Sequence, residues 1–299
     1  MIVMDQAQRL RELMAQNAYM PDEQAAAEKT TMNARIIAVA SGKGGVGKSN
    51  FSINLAIQMR KLGKRVVIID ADFGLANVEI LLGVAPKHTV ADVLNGTVDM
   101  ESALTIGPMG CMFLSGGSGM AALADLTENQ LLRLTDGFVQ LDSLADFILI
   151  DTRAGISNAV VNFIRAASDT IVVTTPDPTA IADAYTLIKS VKTTMPDVGI
   201  LKLVVNCAVN DSEAQEVFEK LNGVSSRFLD IKLVYLGSIP FDSYLVRAVR
   251  KQKPVSIQYP FAESANRYSE ICATILDMET GRKNSIQNFV MKLIGRFSS

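Results

Sequence analysis

"ARIIAVAS" at 34–41 runs straight into "SGKGGVGKSN", Ser41 to Asn50. Within it, Gly42-Lys43-Gly44-Gly45-Val46-Gly47-Lys48-Ser49 satisfies G-x-x-x-x-G-K-[ST]. Residue frequencies would produce that pattern by chance in a chain of this size on the order of once in a hundred. The context is right as well: an apolar β-branched run leads in, and a helical pattern from Ser49 to Leu62 leads out. Glycines let the backbone wrap closely, so that successive N–H groups and the helix N-terminus point at phosphate oxygens. Lys48 would then reach the β- and γ-phosphates, and the Ser49 hydroxyl would ligate Mg²⁺. The expected nucleotide-binding stretch is Gly42, Lys43, Gly44, Gly45, Val46, Gly47, Lys48, Ser49 and Asn50. The motif leaves one feature unexplained, a second cation, Lys43, at its start.

Further along, "RVVIID" (65–70), "DFILID" (146–151), "DTIVVTT" (169–175), "ILKLVVN" (200–206) and "IKLVYLG" (231–237) are nearly continuous apolar runs. Strands buried on both faces of a parallel sheet have this pattern. Helical patterns alternate with them at Thr179–Thr194, Ser212–Phe228 and Phe261–Met278. The expected fold is α/β: a doubly wound, mostly parallel sheet of P-loop NTPase type, flanked by amphipathic N- and C-terminal helices. Ligands are expected at the C-terminal ends of the strands. Two of those ends carry carboxylates, Asp70 and Asp72 in "VVIIDADFGLANV" and Asp151 in "FILIDTRAGIS". Asp151 suits Mg²⁺, held through water; Asp72 is the candidate to position an attacking water, with Asp70 supporting the metal from behind.

Composition removes several function classes. With 48% hydrophobic and 20% charged residues the chain is globular, and a net charge of −2 supplies no global basic field for nucleic acid. Three scattered cysteines (Cys111, Cys207, Cys272) form no CxxC and give no metal spacing, which fits a reduced cytoplasmic protein. His88, the one histidine, reads as a solvated loop residue, so histidine-based catalysis is not expected. No secretory h-region opens the chain, and no apolar run approaches the ~20 residues needed to span a bilayer. Membrane contact is therefore expected to be peripheral.

At "KGGVGKS" the chain resembles the deviant Walker A ATPases related to MinD and ParA. The resemblance implies an ATPase that hydrolyses ATP slowly with Mg²⁺ and closes as a homodimer around two nucleotides. It assigns Lys43 to the neighbour's phosphates and Lys48 to its own, so that Lys43, Lys48 and Asp72 are the expected catalytic residues. A symmetric interface supplies the anionic partner that such an outward lysine needs. The resemblance also implies that Asn206, ending "LKLVVN", bonds adenine, beside Pro240 in "GSIPFD" (237–242). Relatives carry Gly or Pro where this chain has Arg153, which would either slow the switch loop or add a phosphate contact.

The ends of the chain are separate units. Four segments are expected: a partner-binding helix at 1–20, a polar linker at 21–33, an ATPase domain at 34–281 and an amphipathic helix at 282–299. In "NSIQNFVMKLIGRFSS", Ile286, Phe289, Val290, Leu293, Ile294 and Phe297 fill an arc of about 140°. Lys292 and Arg296 flank that arc with no carboxylate after Glu279. Such a face binds a membrane surface or docks on its own domain. Burying it is worth a gross ~10 kcal/mol at most, so one tail binds weakly and two tails on a dimer bind better. Around "MDQAQRLRELM" at 4–14, Val3, Ala7, Leu10 and Met14 share one helical face. Its Asp5-Gln6-Ala7-x-x-Leu10-Arg11 is similar to the N-terminal motif of the FlhG (FleN/YlxH) family of flagellar-number regulators. That resemblance implies a GTPase partner of the FlhF type, with Gln6 reaching its active site and Asp5, Ala7, Leu10 and Arg11 docking, and flagellar C-ring proteins as further partners. The competing readings are a MinD-type division regulator and a ParA-type DNA-partitioning ATPase.

Overall fold

The computed structural model describes residues 34–72, 77–116, 127–196, 198, 200–278, 289–290 and 292–293. In chain order the elements are β1 (Arg35–Ala40), α1 (Lys48–Lys61), β2 (Val66–Ala71), α2 (Asn77–Leu82), α3 (Val90–Asn95) and α4 (Met100–Ala103). There follow β3 (Thr105–Ile106), β4 (Met112–Leu114), α5 (Glu128–Leu144), β5 (Phe147–Thr152), α6 (Asn158–Ala166), β6 (Asp169–Thr174) and α7 (Pro178–Thr194). The chain continues with β7 (Leu201–Ala208), α8 (Asp211–Leu229), β8 (Leu233–Pro240), α9 (Ser243–Arg250), α10 (Val255–Gln258) and α11 (Glu263–Asp277).

The strands form one sheet in the order β3-β4-β2-β5-β1-β6-β7-β8, parallel throughout except for the β3–β4 pair. Every residue of β1, β2, β5 and β6 is buried. The pleat sends Ile36, Ala38 and Ala40 into one core and Ile37 and Val39 into the other. Helices α3 to α8 cover the first face; α1, α2 and α9 to α11 cover the second. This is the doubly wound sheet expected from the sequence, and the six strands read there are found within a few residues of their expected limits.

The pair β3–β4 was not legible. At two and three residues these strands are too short to display a period. They extend the sheet beyond β2 and finish it with an antiparallel edge.

One buried charge cluster lies at the opposite end of the sheet from the phosphate loop. Asp169 accepts from Arg35 Nε at 2.6 Å and from Lys202 Nζ, while Arg35 Nη1 donates to the carbonyls of Ile275 and Met278. The first residues of β1 and β6 are thereby tied to the end of α11.

Of the C-terminal amphipathic stretch, Phe289, Val290 and Leu293 are buried in the first core, and the Phe289 ring packs on Phe138 of α5 at 5.4 Å between centroids. The sequence left this face a choice between lipid and its own domain; Phe289, Val290 and Leu293 are docked on the domain. Lys292 is half-buried. Ile286, Ile294, Arg296 and Phe297 lie outside the described residues, as do Asp5, Gln6, Ala7, Leu10 and Arg11. Among the described residues no helix is long and apolar enough to cross a membrane.

Candidate functional site

Strand β1 ends at Ala40, and α1 starts at Lys48 directly after Gly47, whose φ of 89° belongs to the left-handed region. A side chain there would also strike the Asn206 amide, 2.2 Å from the Cβ position. At the other end of the loop, a Cβ on Gly42 would lie 2.2 Å from the Asp183 carbonyl. The loop start is therefore seated against the backbone of α7, and only glycine fits. Together these residues cradle a cavity of about 320 Å³ lined by the loop and by Asp72, Asn77, Ile80, Leu81 and Ala154.

Lys48 and Asp151 are both buried and meet at its floor. Lys48 Nζ donates to Asp151 Oδ1 at 2.9 Å, as does Ser52 Oγ at 2.9 Å. Asp151 Oδ2 is buried without a partner. A fully buried carboxylate oxygen left open next to the P-loop lysine is what a hydrated cation requires. Among the described residues no group of three or more His, Cys, Asp or Glu is gathered to hold a metal by itself. Ser49 and Asp151 are the residues that could hold a Mg²⁺ ion brought in with the nucleotide.

Asp70 faces Asp151 across the β2–β5 register. Its oxygens accept from the Asp72 and Val78 backbone N–H groups, each at 3.1 Å. Burial, reinforced by the Asp151 charge, pushes the Asp70 carboxyl up to about 7. Asp72 is half-buried at the cavity edge and accepts from Asn77 Nδ2 at 3.3 Å. Burial also raises the Asp72 carboxyl, opposed by the cations of Lys48 and Arg153. Arg153 thus acts on Asp72 electrostatically. The loop that carries it is pinned to the phosphate loop by Gly155 N–H donating to the Ser41 carbonyl at 2.9 Å.

Lys43 is exposed, and its ammonium donates to Thr179 Oγ1 at 2.6 Å, in the first turn of α7. Asn206 is buried against the phosphate loop, with Nδ2 donating to the Val46 carbonyl at 2.8 Å; Pro240 ends β8, paired with Ala208. The Asn206 Oδ1 has no partner although it is buried, an acceptor suited to the exocyclic amine of adenine.

A family model described as "ParA: NUBPL iron-transfer P-loop NTPase" matches residues 33–276. The chain belongs to this ParA family of P-loop NTPases. Membership makes it a P-loop ATPase, an enzyme class that takes its nucleotide with Mg²⁺. Within the family its FlhG-like reading holds. It is 37% identical to antiactivator FleN of Pseudomonas aeruginosa, over 87% of this chain and 93% of that protein. It is 33% identical to the flagellum site-determining protein YlxH of Helicobacter pylori, over 88% and 90% of the two chains. Among solved structures, MinD of Pyrococcus horikoshii in complex with Mg-ADP superposes with a TM-score of 0.66 at 23% identity, covering 82% of this chain and 96% of that one, a likeness of fold.

Within this P-loop ATPase the structure brings Lys43, Lys48, Ser49 and Asp72 to one cleft, with Asp151 buried against Lys48, Asp70 opposite Asp151 in the sheet and Asn206 against the Val46 carbonyl. The sequence reading missed Ser52, Asn77 and Thr179. Ser52 lies one helical turn after Lys48, and that spacing could have found it. Asn77 and Thr179 come from other elements, and nothing local marks them.

Proposed function

We propose that this ATPase is a nucleotide-controlled switch. Two copies close over two ATP molecules, Lys43 of each reaching the other's phosphates, and hydrolysis reopens the pair. The outward Lys43, held by a hydroxyl and, among the described residues, in no ion pair, is the single observation that carries this reading. A cation so placed gains most when an anionic phosphate is presented to it.

Within each protomer the chain's own groups divide the work. Backbone N–H groups of Gly44 to Ser49 and the Lys48 ammonium hold the β- and γ-phosphates, which requires Lys48 to exchange part of its contact with Asp151 for phosphate. Ser49 and Asp151 would hold Mg²⁺, which would supply charge neutralisation on the phosphates, and Asp70 would buttress Asp151. Asp72, steadied by Asn77, orients the water that attacks the γ-phosphate. Asn206 Oδ1 accepts from the adenine amine, and Pro240 flanks the base.

The output we assign is control of flagellar number and placement. Similarity across nearly the whole length to proteins named FleN and YlxH supports it. The N-terminal segment, through Asp5, Gln6, Ala7, Leu10 and Arg11, would engage an FlhF-type GTPase, and C-ring proteins would be further partners. The C-terminal helix would hold the dimer to the inner face of the membrane. Because Phe289, Val290 and Leu293 are buried, lipid contact by this face requires its release from α5.

Size-exclusion chromatography with ADP and with ATP tests the switch. Asp72→Ala should bind ATP, lose turnover and accumulate as a dimer. A monomeric, freely turning-over Asp72→Ala would refute it. Deleting residues 1–20 should abolish stimulation of the GTPase partner; undiminished stimulation would favour a division-type output instead.

A further inference from the structure

Between Ser243 and Ala262 the sequence holds four cations and no carboxylate. The structure gathers them on a ridge outside the nucleotide cleft. Helix α9 turns Ala248 inward, and its outer side presents Tyr244, Val246, Arg247 and Arg250. Tyr244, Tyr259 and Phe261 form a ring cluster with centroids 5.1, 5.2 and 6.2 Å apart. The Arg247 guanidinium lies over Tyr244 and the Lys251 ammonium over Tyr259, each 5.6 Å from the ring centroid.

Two further features set this ridge apart from an ordinary solvated helix. Phe261 is 66% exposed and Phe241, just after β8, is 69% exposed, a cost in apolar surface that packing on the domain does not relieve. And among the described residues none of Arg247, Arg250, Lys251 and Lys253 is in an ion pair. The carboxylate that opens α9, Asp242, is already spent: it accepts from the Tyr244 and Ser264 N–H groups and from Ser264 Oγ. The ridge is also firmly placed. Its turn at Gln252 abuts Gly83 at the end of α2, where a Cβ would lie 2.8 Å from the Gln252 carbonyl oxygen.

We infer that this ridge docks an acidic protein segment, one whose carboxylates face Arg250 and Lys253 while an apolar side chain seats among Tyr244, Tyr259 and Phe261. Aromatic rings with arginine beside them make up the energetic centres of protein interfaces. Charge complementarity sets the sign of the partner. With the Arg247 and Lys251 cations over the tyrosine rings, the ridge is a mixed cationic and aromatic surface rather than an apolar wedge. The surface is distinct from the segment at 1–20 and from the C-terminal helix, and it does not depend on the switch reading given above.

The test uses the full-length protein and a fluorescein-labelled peptide rich in Asp, Glu, Leu and Phe, read by anisotropy. A peptide with Lys in place of each acidic residue, duplex DNA and phosphatidylglycerol vesicles are run beside it. The acidic peptide should bind and the basic one should not. Arg250→Glu combined with Lys253→Glu should weaken binding about tenfold or more, and Phe261→Ser should also weaken it. Lys220→Glu, outside the ridge on α8, should leave binding unchanged. Equal unfolding temperatures and ATP affinities of these variants separate a lost surface from a lost fold. The inference is overturned if the acidic peptide fails to bind, if the ridge variants bind it as wild type does, or if Lys220→Glu weakens it equally. It is also overturned if the ridge variants instead lose DNA or vesicle binding.

Discussion

Lys43 Nζ donates a 2.6 Å hydrogen bond to Thr179 Oγ1, across the gap between the phosphate loop and the first turn of α7. The same α7 backbone seats Gly42, so lysine and hydroxyl are held at a fixed separation by the fold. The bond satisfies one of three ammonium protons and neutralises no charge. If Lys43 serves a partner's phosphates as proposed, this bond keeps it in place without competing strongly for it.

Thr179→Val removes that hold and keeps the side-chain shape. A solvent-exposed hydrogen bond contributes at the low end of the usual range, so half-maximal dimerisation should need about two- to threefold less ATP. Sedimentation velocity across an ATP titration measures it. Lys43→Ala should abolish ATP-dependent pairing while leaving nucleotide affinity nearly intact. Should Thr179→Val instead demand more ATP, the hydroxyl belongs to the assembled state.

Lys48→Ala leaves the Asp151 carboxylate buried with Ser52 alone. Removing one side of a buried ion pair costs roughly 3–5 kcal/mol, so the nucleotide-free variant should melt well below wild type. Asp151→Asn keeps an acceptor for Lys48 and should melt closer to wild type, yet lose Mg²⁺-dependent turnover. Thermal melts with and without Mg-ATP separate the two. A Lys48→Ala protein as stable as wild type would show that the Lys48–Asp151 contact does not contribute to stability.

The Asp169 cluster sets a pH dependence far from the phosphates. Burial alone would raise this carboxyl, but hydrogen bonds from Arg35 and Lys202 outweigh it and hold it below the usual range. An unfolded aspartate titrates near ~3.9. The cluster's stabilisation is thus fully present above that value and is lost as the pH falls through the lower folded value. Asp169→Asn strands two buried cations and should cost roughly 3–5 kcal/mol at neutral pH. Urea unfolding at neutral and strongly acidic pH should show the gap from wild type narrowing in acid. A gap that is constant with pH would mean that the pair is not ionised.

How much of this was legible follows from how local each signal is. The loop from Gly42 to Ser49 carries its chemistry in consecutive residues, and the strands that end in Asp70 and Asp151 announce themselves by unbroken apolar runs. Thr179 and Asn77 become site residues only because α7 and α2 fold back over the loop, and no spacing in the sequence encodes that approach. The buried set Arg35, Asp169 and Lys202 is hidden for a related reason. Each is a single charge at or near the start of an apolar strand and reads as a solvated strand end, until the sheet order puts β1, β6 and β7 side by side. Arg153 shows the same limit: its effect on Asp72 depends on the loop tied down through Gly155.

The C-terminal face offers the last prediction. Phe289 is fully buried on Phe138, so the part of the apolar arc formed by Phe289, Val290 and Leu293 is already occupied by the domain. The two uses compete for the same side chains, and weakening one must favour the other. Phe138→Ala removes the ring on the domain side alone. Vesicle co-sedimentation without nucleotide should then rise by about tenfold, equivalent to ~1.4 kcal/mol of lost docking. Phe289→Ala removes the shared side chain and should lose both docking and lipid binding. Vesicle binding unaltered by Phe138→Ala, with the fold intact by circular dichroism, would mean that docking on α5 does not oppose membrane contact.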